Sequence, residues 1–494
     1  MSTSRQTVVI GAGLAGLASA CLMASRGHRV TLLEANATPG GKMQQHTMHG
    51  YRFDTGPSLF TMPFILESIF EECGRDMSDY LTLLEPNPLC RYIYRDGTVF
   101  DNVASVEGNE EQIARFAPED AGRYREFLSH SETLYNKTAD AFLYNPLYDL
   151  HDLKGLQWGD LLSINAFSSV SSVVDRHFKS DYLRKFFKRF TTYNGSSPYQ
   201  APATLNVIPH VELTMGAWYP KGGLYQIARS LEALALEMGV EIRYNEPVQS
   251  LRHTGKTITH AVLQHGEAVS GDSFISNADA TETITRLLPD TVVPPPVKQK
   301  QNAIEPSCSG FVLLLACNRS WELLRHHTLF FSDDYEAEFR QIFREQRVPD
   351  DPTIYVANTS ASDASHAPDG GSNLFVLINT PYLNDTHDWS TLSLELLHKL
   401  VARLEAAGLT GLKESIVDYH AITPLDFYHR YRSNRGSIYG TSSNGIFSAF
   451  LRPRNRLRDV DNLYLVGGST HPGGGIPLVL QSALNAAALF DRQR

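Results

Sequence analysis

The 494-residue chain carries 44 Lys and Arg against 54 Asp and Glu, a formal net charge of −10. That balance lacks the basic footprint of nucleic-acid binding and supplies no polybasic anchor, so nucleic acid is excluded and the expected partners are small or apolar. The length, with 42% hydrophobic residues, predicts two domains with buried cores, while Cys21, Cys73, Cys90, Cys308 and Cys317 have no CxxC spacing and suggest neither a disulfide framework nor a metal site.

MSTSRQ runs directly into the strand-like TVVIG, leaving no room for a signal peptide, and a cytoplasmic location is expected. Residues 7–10 read as a buried strand, 14–26 as a helix broken by Gly27, and 30–34 as a second strand, the start of a βαβ unit and a parallel sheet. Gly11, Gly13 and Gly16 form GxGxxG around Ala12, in the turn between strand and helix. The first glycine permits the tight turn, the second lets backbone approach a pyrophosphate, and the third permits close helix packing. Glu34 ends the next strand, where a carboxylate accepts hydrogen bonds from a ribose diol and repels a 2′-phosphate.

Beyond residue 60 the pattern loosens into mixed helices, one starting at Pro118, where Glu119 and Asp120 favour the helix dipole. The stretch from Phe142 to Phe190 is rich in aromatic and cationic side chains, and HFKSDYLRKFFKRF at 177–190 reads as an amphipathic helix with a basic face. Two readings stand here: a solvated helix that packs its Phe and Leu residues on the core, or one that docks on a membrane surface. Helical spacing returns at 222–239 through Leu224, Ile227, Leu231 and Leu234, followed by the strand and turn VEIRYNEPV and the strand SFISNADAT at 273–281. From 311 to 420 strands and helices alternate around a loop at 363–373. FVLLLAC at 311–317 is too short to span a bilayer and reads as a buried strand.

NAD and FAD share the βαβ unit, so later residues must discriminate. Pro39-Gly40-Gly41-Lys42 and Phe53-Asp54-Thr55-Gly56-Pro57 resemble the double-glycine extension and DxGP turn of the flavin-dependent amine oxidase and carotenoid desaturase superfamily, which implies FAD. NLYLVGGSTHPGGGIPLVLQSA at 462–483 resembles the carotenoid desaturase signature of bacterial-type phytoene desaturases, departing from it at Gly474, where small non-glycine residues are commoner. AWYPKGGLYQI at 217–227, ISNADATET at 275–283 and RGSIYG at 435–440 extend the likeness. GGSTHPGGGIPL together with TYNGSSPYQAPATLNVIPHVE at 192–212 is most similar to the subgroup that desaturates C-3,4 of 1-hydroxycarotenoids.

The resemblance implies an α/β, amine-oxidase-like flavoprotein with a Rossmann-type FAD-binding domain and a mixed α+β substrate domain. The first would be assembled from 1–80, 215–305 and 425–494, the second, membrane-facing, from 81–214 and 306–424. Expected FAD contacts are Gly11, Ala12, Gly13, Gly16, Glu34, Gly41, Lys42, Gly56, Pro57, Val248, Asn277, Gly467, Gly468, Gly475 and Ile476. LYLV reads independently as a buried strand, and Pro477 suits the first turn of a helix to Leu489 whose positive end would stabilise the reduced ring.

In the family's reaction one hydrogen leaves as hydride to the flavin and its neighbour as a proton, with oxygen or a quinone reoxidising the ring. His210, Glu212, Asp181 and Arg184 are candidates to assist proton loss or balance charge, each alongside a purely structural role. His471 either joins the flavin site or braces its turn. Alternatives are a phytoene-type desaturase, a carotenoid isomerase, a flavin amine oxidase and a non-enzymatic prenyl-lipid-binding protein. A carotenoid must enter from a bilayer, so peripheral membrane attachment is expected.

Overall fold

The computed structural model describes residues 5–145, 168–445 and 452–492, so the part of the aromatic stretch at 146–167 lies outside the described residues. QTVVI forms the strand Gln6–Ile10 at the centre of a five-stranded parallel sheet. Its neighbours are Arg29–Leu33 on one side and Ser273–Ser276 on the other, with Glu241–Arg243 and Leu463–Leu465 at the edges. Short apolar runs suit a sheet covered on both faces.

The helix Leu14–Ser25 buries ten of its twelve residues and packs against the helices Tyr225–Glu237 and Ile476–Asp491. Its four alanines and Gly16 let three backbones approach closely. Chain reversal follows at Gly27, whose φ of 83° a side chain would disfavour.

A seven-stranded sheet runs Ile416–Ile422, Ser309–Cys317, Ser372–Thr380, Ile354–Asn358, His327–Phe330, Cys90–Ile93, Val99–Asn102. All its pairings are antiparallel except that between His327–Phe330 and Cys90–Ile93. Every residue of Ser309–Cys317 is buried, which accounts for the apolar run FVLLLAC. One face of this sheet packs on the helix Trp389–Ala406, and the other carries Tyr51, Phe53 and Phe427. All five strands of the parallel sheet fall within 1–80, 215–305 or 425–494, and all seven of the second fall within 81–214 or 306–424.

The basic amphipathic segment forms the helix Asp181–Lys188, and its apolar face is already covered. Leu183, Phe186 and Phe187 are buried in a cluster with Phe127, Phe178 and Phe190, Phe178 stacking on Phe187 at 4.7 Å. Its cations are also engaged: Lys188 pairs with Asp175 at 2.7 Å, and Lys185 donates to the carbonyls of Ser332 and Asp333. The core-packing reading therefore holds and this helix offers a membrane no apolar face, because burying several Phe rings, each worth about 1.5–3 kcal/mol, outweighs what docking would return.

Phe187→Ala should lower the unfolding free energy by about 3–5 kcal/mol in urea titration, whereas Arg184→Ala, removing exposed ion pairs to Asp175 and Asp181, should cost no more than about 1 kcal/mol.

Candidate functional site

A cavity of about 700 Å³ runs from Glu34 and Val248, past Gly11, Gly13, Lys42 and Gly56, to Gly468 and Gly475. Beyond these it opens into an apolar arm walled by Met62, Leu143, Ile208, Val312, Phe375 and Leu377.

Asn277 organises the nucleotide end. Its amide N–H donates to Ile10 O at 2.8 Å and its side-chain Nδ2 to Val466 O at 3.2 Å, joining the ends of three neighbouring strands. A Cβ on Gly13 would lie 2.4 Å from Asn277 Oδ1, and one on Gly467 2.5 Å from its Nδ2. The glycine motifs at the two ends of the chain thus make room for the same side chain. Gly16 serves packing, since a Cβ there would lie 2.0 Å from Gly11 O, and neither Gly16 nor Gly467 lines the cavity.

Glu34 is buried and holds the turns around it. Its Oε2 accepts from the Ala12 amide at 2.6 Å, and its Oε1 accepts from the backbone and side chain of Asn36, both at 2.8 Å. Three of its four acceptor positions are engaged, leaving one for a ribose hydroxyl. Ala12 does not line the cavity, because its amide is committed to Glu34. The Gly40 amide donates to Ala12 O at 2.7 Å, seating the double-glycine loop on the first turn, and Gly41 lines the cavity there.

Asp54 fixes the following DxGP turn by accepting from Arg52, Tyr219 OH and the amides of Leu224 and Tyr225. Gly56 and Pro57 then line the cavity. Lys42 donates to the carbonyls of Ser437 and Ile438; burial pushes its pKa down to about 8 against the opposing pull of Asp279.

Two helices begin at the cavity wall without a side-chain cap and without an acidic residue in the first turn: Leu14–Ser25 after Gly13, and Ile476–Asp491 after Gly475. Their first-turn amides and positive dipole ends suit anions. Gly475, at φ 99°, has no atom within 4 Å of where its Cβ would stand. Two bare helix starts, a glycine-lined channel and a partly free buried carboxylate fit FAD.

Tyr439 explains Gly474. Cβ atoms on Gly195 and Gly474 would lie 2.7 and 3.0 Å from its ring, so glycine is what admits the tyrosine between these two segments. His471 lines the cavity, its Nε2 3.0 Å from Asn145 O, and burial pushes its pKa down to about 4. It braces the turn to the segment before the undescribed stretch.

Among the other candidates, Glu212 alone lines the cavity, in the apolar arm. It is buried, pairs with Arg189 and accepts from Tyr193 OH. His210 lies behind the wall with its ring 5.1 Å from Tyr135, and burial lowers its pKa. Arg184 and Asp181 do not line the cavity, and pair with each other at 3.2 Å on the outer side of their helix. The sequence reading missed Arg452, which lines the cavity beside Gly468, and Arg189, the partner of Glu212. No periodicity marks either, and Arg452 is one of four arginines, with Arg454, Arg456 and Arg458, ahead of the NLYLV run, so its neighbourhood does not single it out.

The description "Flavin containing amine oxidoreductase" matches residues 14–489. The chain belongs to that family. It is 35% identical over 486 residues to 4,4′-diapolycopene oxygenase of Methylomonas sp., covering 97% of this chain and 96% of that one. To 1-hydroxycarotenoid 3,4-desaturase of Flavobacterium sp. (strain P99-3) it is 33% identical over 489 residues, 98% and 99% of the two chains. Cyclohexylamine oxidase from Brevibacterium oxydans IH-35A superimposes over 100% of both chains with a TM-score of 0.63 at 15% identity, a likeness of fold. The protein is thus a carotenoid-desaturase-like member of this family, an FAD-dependent oxidoreductase with the amine-oxidase-like architecture. Among the described residues no helix is long and apolar enough to cross a membrane, and no group of His, Cys, Asp or Glu is arranged for a metal ion.

Glu34→Ala should raise the Kd for FAD at least about tenfold in fluorescence titration of the apoprotein, and cost it about 1–3 kcal/mol by freeing the Ala12 amide. Acid should destabilise the protein as well. Burial lowers the pKa of His326 to about 4 and that of its neighbour His327 well below the usual range. The unfolded chain, titrating near about 6.5, then binds more protons than the native one. Stability is full above about pH 6.5 and falls progressively toward about pH 4, measurable as the thermal midpoint against pH.

Proposed function

We propose that the protein is an FAD-dependent carotenoid desaturase that introduces a C=C bond into a long acyclic substrate, at C-3,4 of a 1-hydroxycarotenoid. The observation that carries this reading is the 33% identity to 1-hydroxycarotenoid 3,4-desaturase over nearly the whole of both chains. An apolar arm joined to the glycine-lined channel supports it, since a polyene needs a long dry wall.

When bound, FAD supplies the two-electron acceptor for hydride. The protein's part is to hold the reacting C–H against the ring end, exclude water along the arm, and orient the chain. Glu212 supplies orientation. Its two oxygens accept from Arg189 and Tyr193 and retain further lone pairs toward the cavity, where a terminal hydroxyl can donate. Arg189 and Tyr193 hold the carboxylate in place, so Glu212 serves as a fixed acceptor for the hydroxyl.

The same reading assigns FAD to segments 1–80, 215–305 and 425–494 and the carotenoid to 81–214 and 306–424. It also places the protein at the surface of a bilayer from which the carotenoid is drawn, with oxygen or a quinone as electron acceptor. A second reading, oxygen insertion into a carotenoid, is favoured by the 35% identity to 4,4′-diapolycopene oxygenase.

Incubation with acyclic carotenoids with and without a 1-hydroxyl group, followed by product mass, separates these. Loss of two hydrogens from the hydroxylated substrate is the expected result; gain of oxygen would favour the second reading, unchanged mass an isomerase, and preference for phytoene a phytoene-type desaturase. Glu212→Gln should lower kcat/KM for the hydroxylated substrate about tenfold or more while changing the unhydroxylated one little.

A further inference from the structure

Arg452 carries a buried charge that the fold does not neutralise. It is 6% exposed and lines the cavity, and its hydrogen-bond acceptors are all neutral: Gly468 O at 3.1 Å, Tyr439 O at 3.4 Å and Ser443 Oγ at 3.2 Å. No carboxylate pairs with it among the described residues, and burial alone pushes its pKa down to about 10. Arg189, the other buried arginine among the described residues, has Glu212. The fold also makes space for Arg452, since a Cβ on Gly473 would lie 3.1 Å from its Cζ and Nε.

An isolated buried cation is costly unless a counter-charge arrives. FAD brings two sources of negative charge: its phosphates, and its ring once a hydride has been added. The phosphates are served by the bare start of Leu14–Ser25 and the Gly11, Gly13 and Gly41 backbone. Arg452 is tied instead to Gly468 and Tyr439 and packed on Gly473, within the turn that leads into the second bare helix start at Ile476.

We propose that Arg452 is the buried counter-charge for the reduced flavin ring, acting with the start of Ile476–Asp491. With FAD bound, the C–H bond that breaks would give its two electrons and its proton to the neutral ring as hydride while the neighbouring carbon releases its proton to water as the C=C bond forms, so the substrate would lose two hydrogens and the ring would gain one negative charge. A fixed guanidinium favours that state over the oxidised one and raises the reduction potential. The proposal rests on FAD binding and not on the identity of the carotenoid.

The test therefore uses no carotenoid. Arg452→Met and Arg452→Gln, with Arg452→Lys as the charge-conserving control, are compared in FAD affinity, in midpoint potential against a reference dye, and in affinity for sulfite, which places a negative charge on the oxidised ring. The Met and Gln variants should bind oxidised FAD within about twofold of the parent. They should discriminate about tenfold less in favour of the reduced ring, a potential more negative by about 30 mV, with sulfite binding weakened about tenfold. Lys should restore most of both. An unchanged potential and sulfite affinity overturns the proposal whether or not FAD binding weakens; weaker FAD binding with both unchanged would mark Arg452 as a phosphate clamp instead. A fall that Lys does not restore overturns it too. Gln keeps the polar contacts and so serves should Met impair folding.

Discussion

The structure depends on bringing two uncapped helix starts to one channel. Neither has a side-chain cap or an acidic residue in its first turn, so each is a standing demand for an anion. Meeting that demand requires parallel strands with helices crossing behind them, and requires backbone rather than side chain at the channel wall. Asn277 is where these requirements converge: it bonds two strand ends, and the glycines of both terminal motifs are sized to it. Because the arrangement is built from backbone, its chemistry is set before any reactive side chain is placed.

The substrate arm obeys the opposite rule. Its walls are apolar, and the charges that enter it are few and separately arranged. Glu212 lines it backed by Arg189, with Tyr193 completing the carboxylate's partners, so the pair's burial is compensated within the protein. Lys42 and Asp279 oppose each other at the nucleotide side. Arg452 departs from this pattern, which is why its position draws a functional reading where the paired groups draw a structural or orienting one.

The nucleotide half was legible in the sequence because its signals are local. GxGxxG, the acid at Glu34 and the strand LYLV each occupy a few consecutive residues with one physical meaning, and the helix Ile476–Asp491 begins where Pro477 led one to expect it. Even so, backbone roles blurred: Ala12, Gly16 and Gly467 sit in the motifs yet turn away from the cavity, their places taken by a carboxylate contact and by packing. The seven-stranded sheet could not be ordered from sequence, since the pairings that close it, Cys90–Ile93 with His327–Phe330 and Ser309–Cys317 with Ile416–Ile422, join segments far apart along the chain and leave no motif. The segment 177–190 was ambiguous because a row of Phe residues along a basic helix looks alike whether it meets a bilayer or a core; only the aromatic cluster around Phe178 and Phe187 decides it.

The order of strands in the parallel sheet also governs when the protein can become a flavoprotein. The central strand is made first, but one of its neighbours comes at Ser273–Ser276 and the edge strand only at Leu463–Leu465, immediately before the second helix start. A ribosome releases the N-terminal motif long before the residues that complete its site, and the earlier segments must wait with an unfinished sheet edge. The channel that would take FAD is therefore complete only at the end of synthesis, when the last strand and the helix start behind it close the sheet edge.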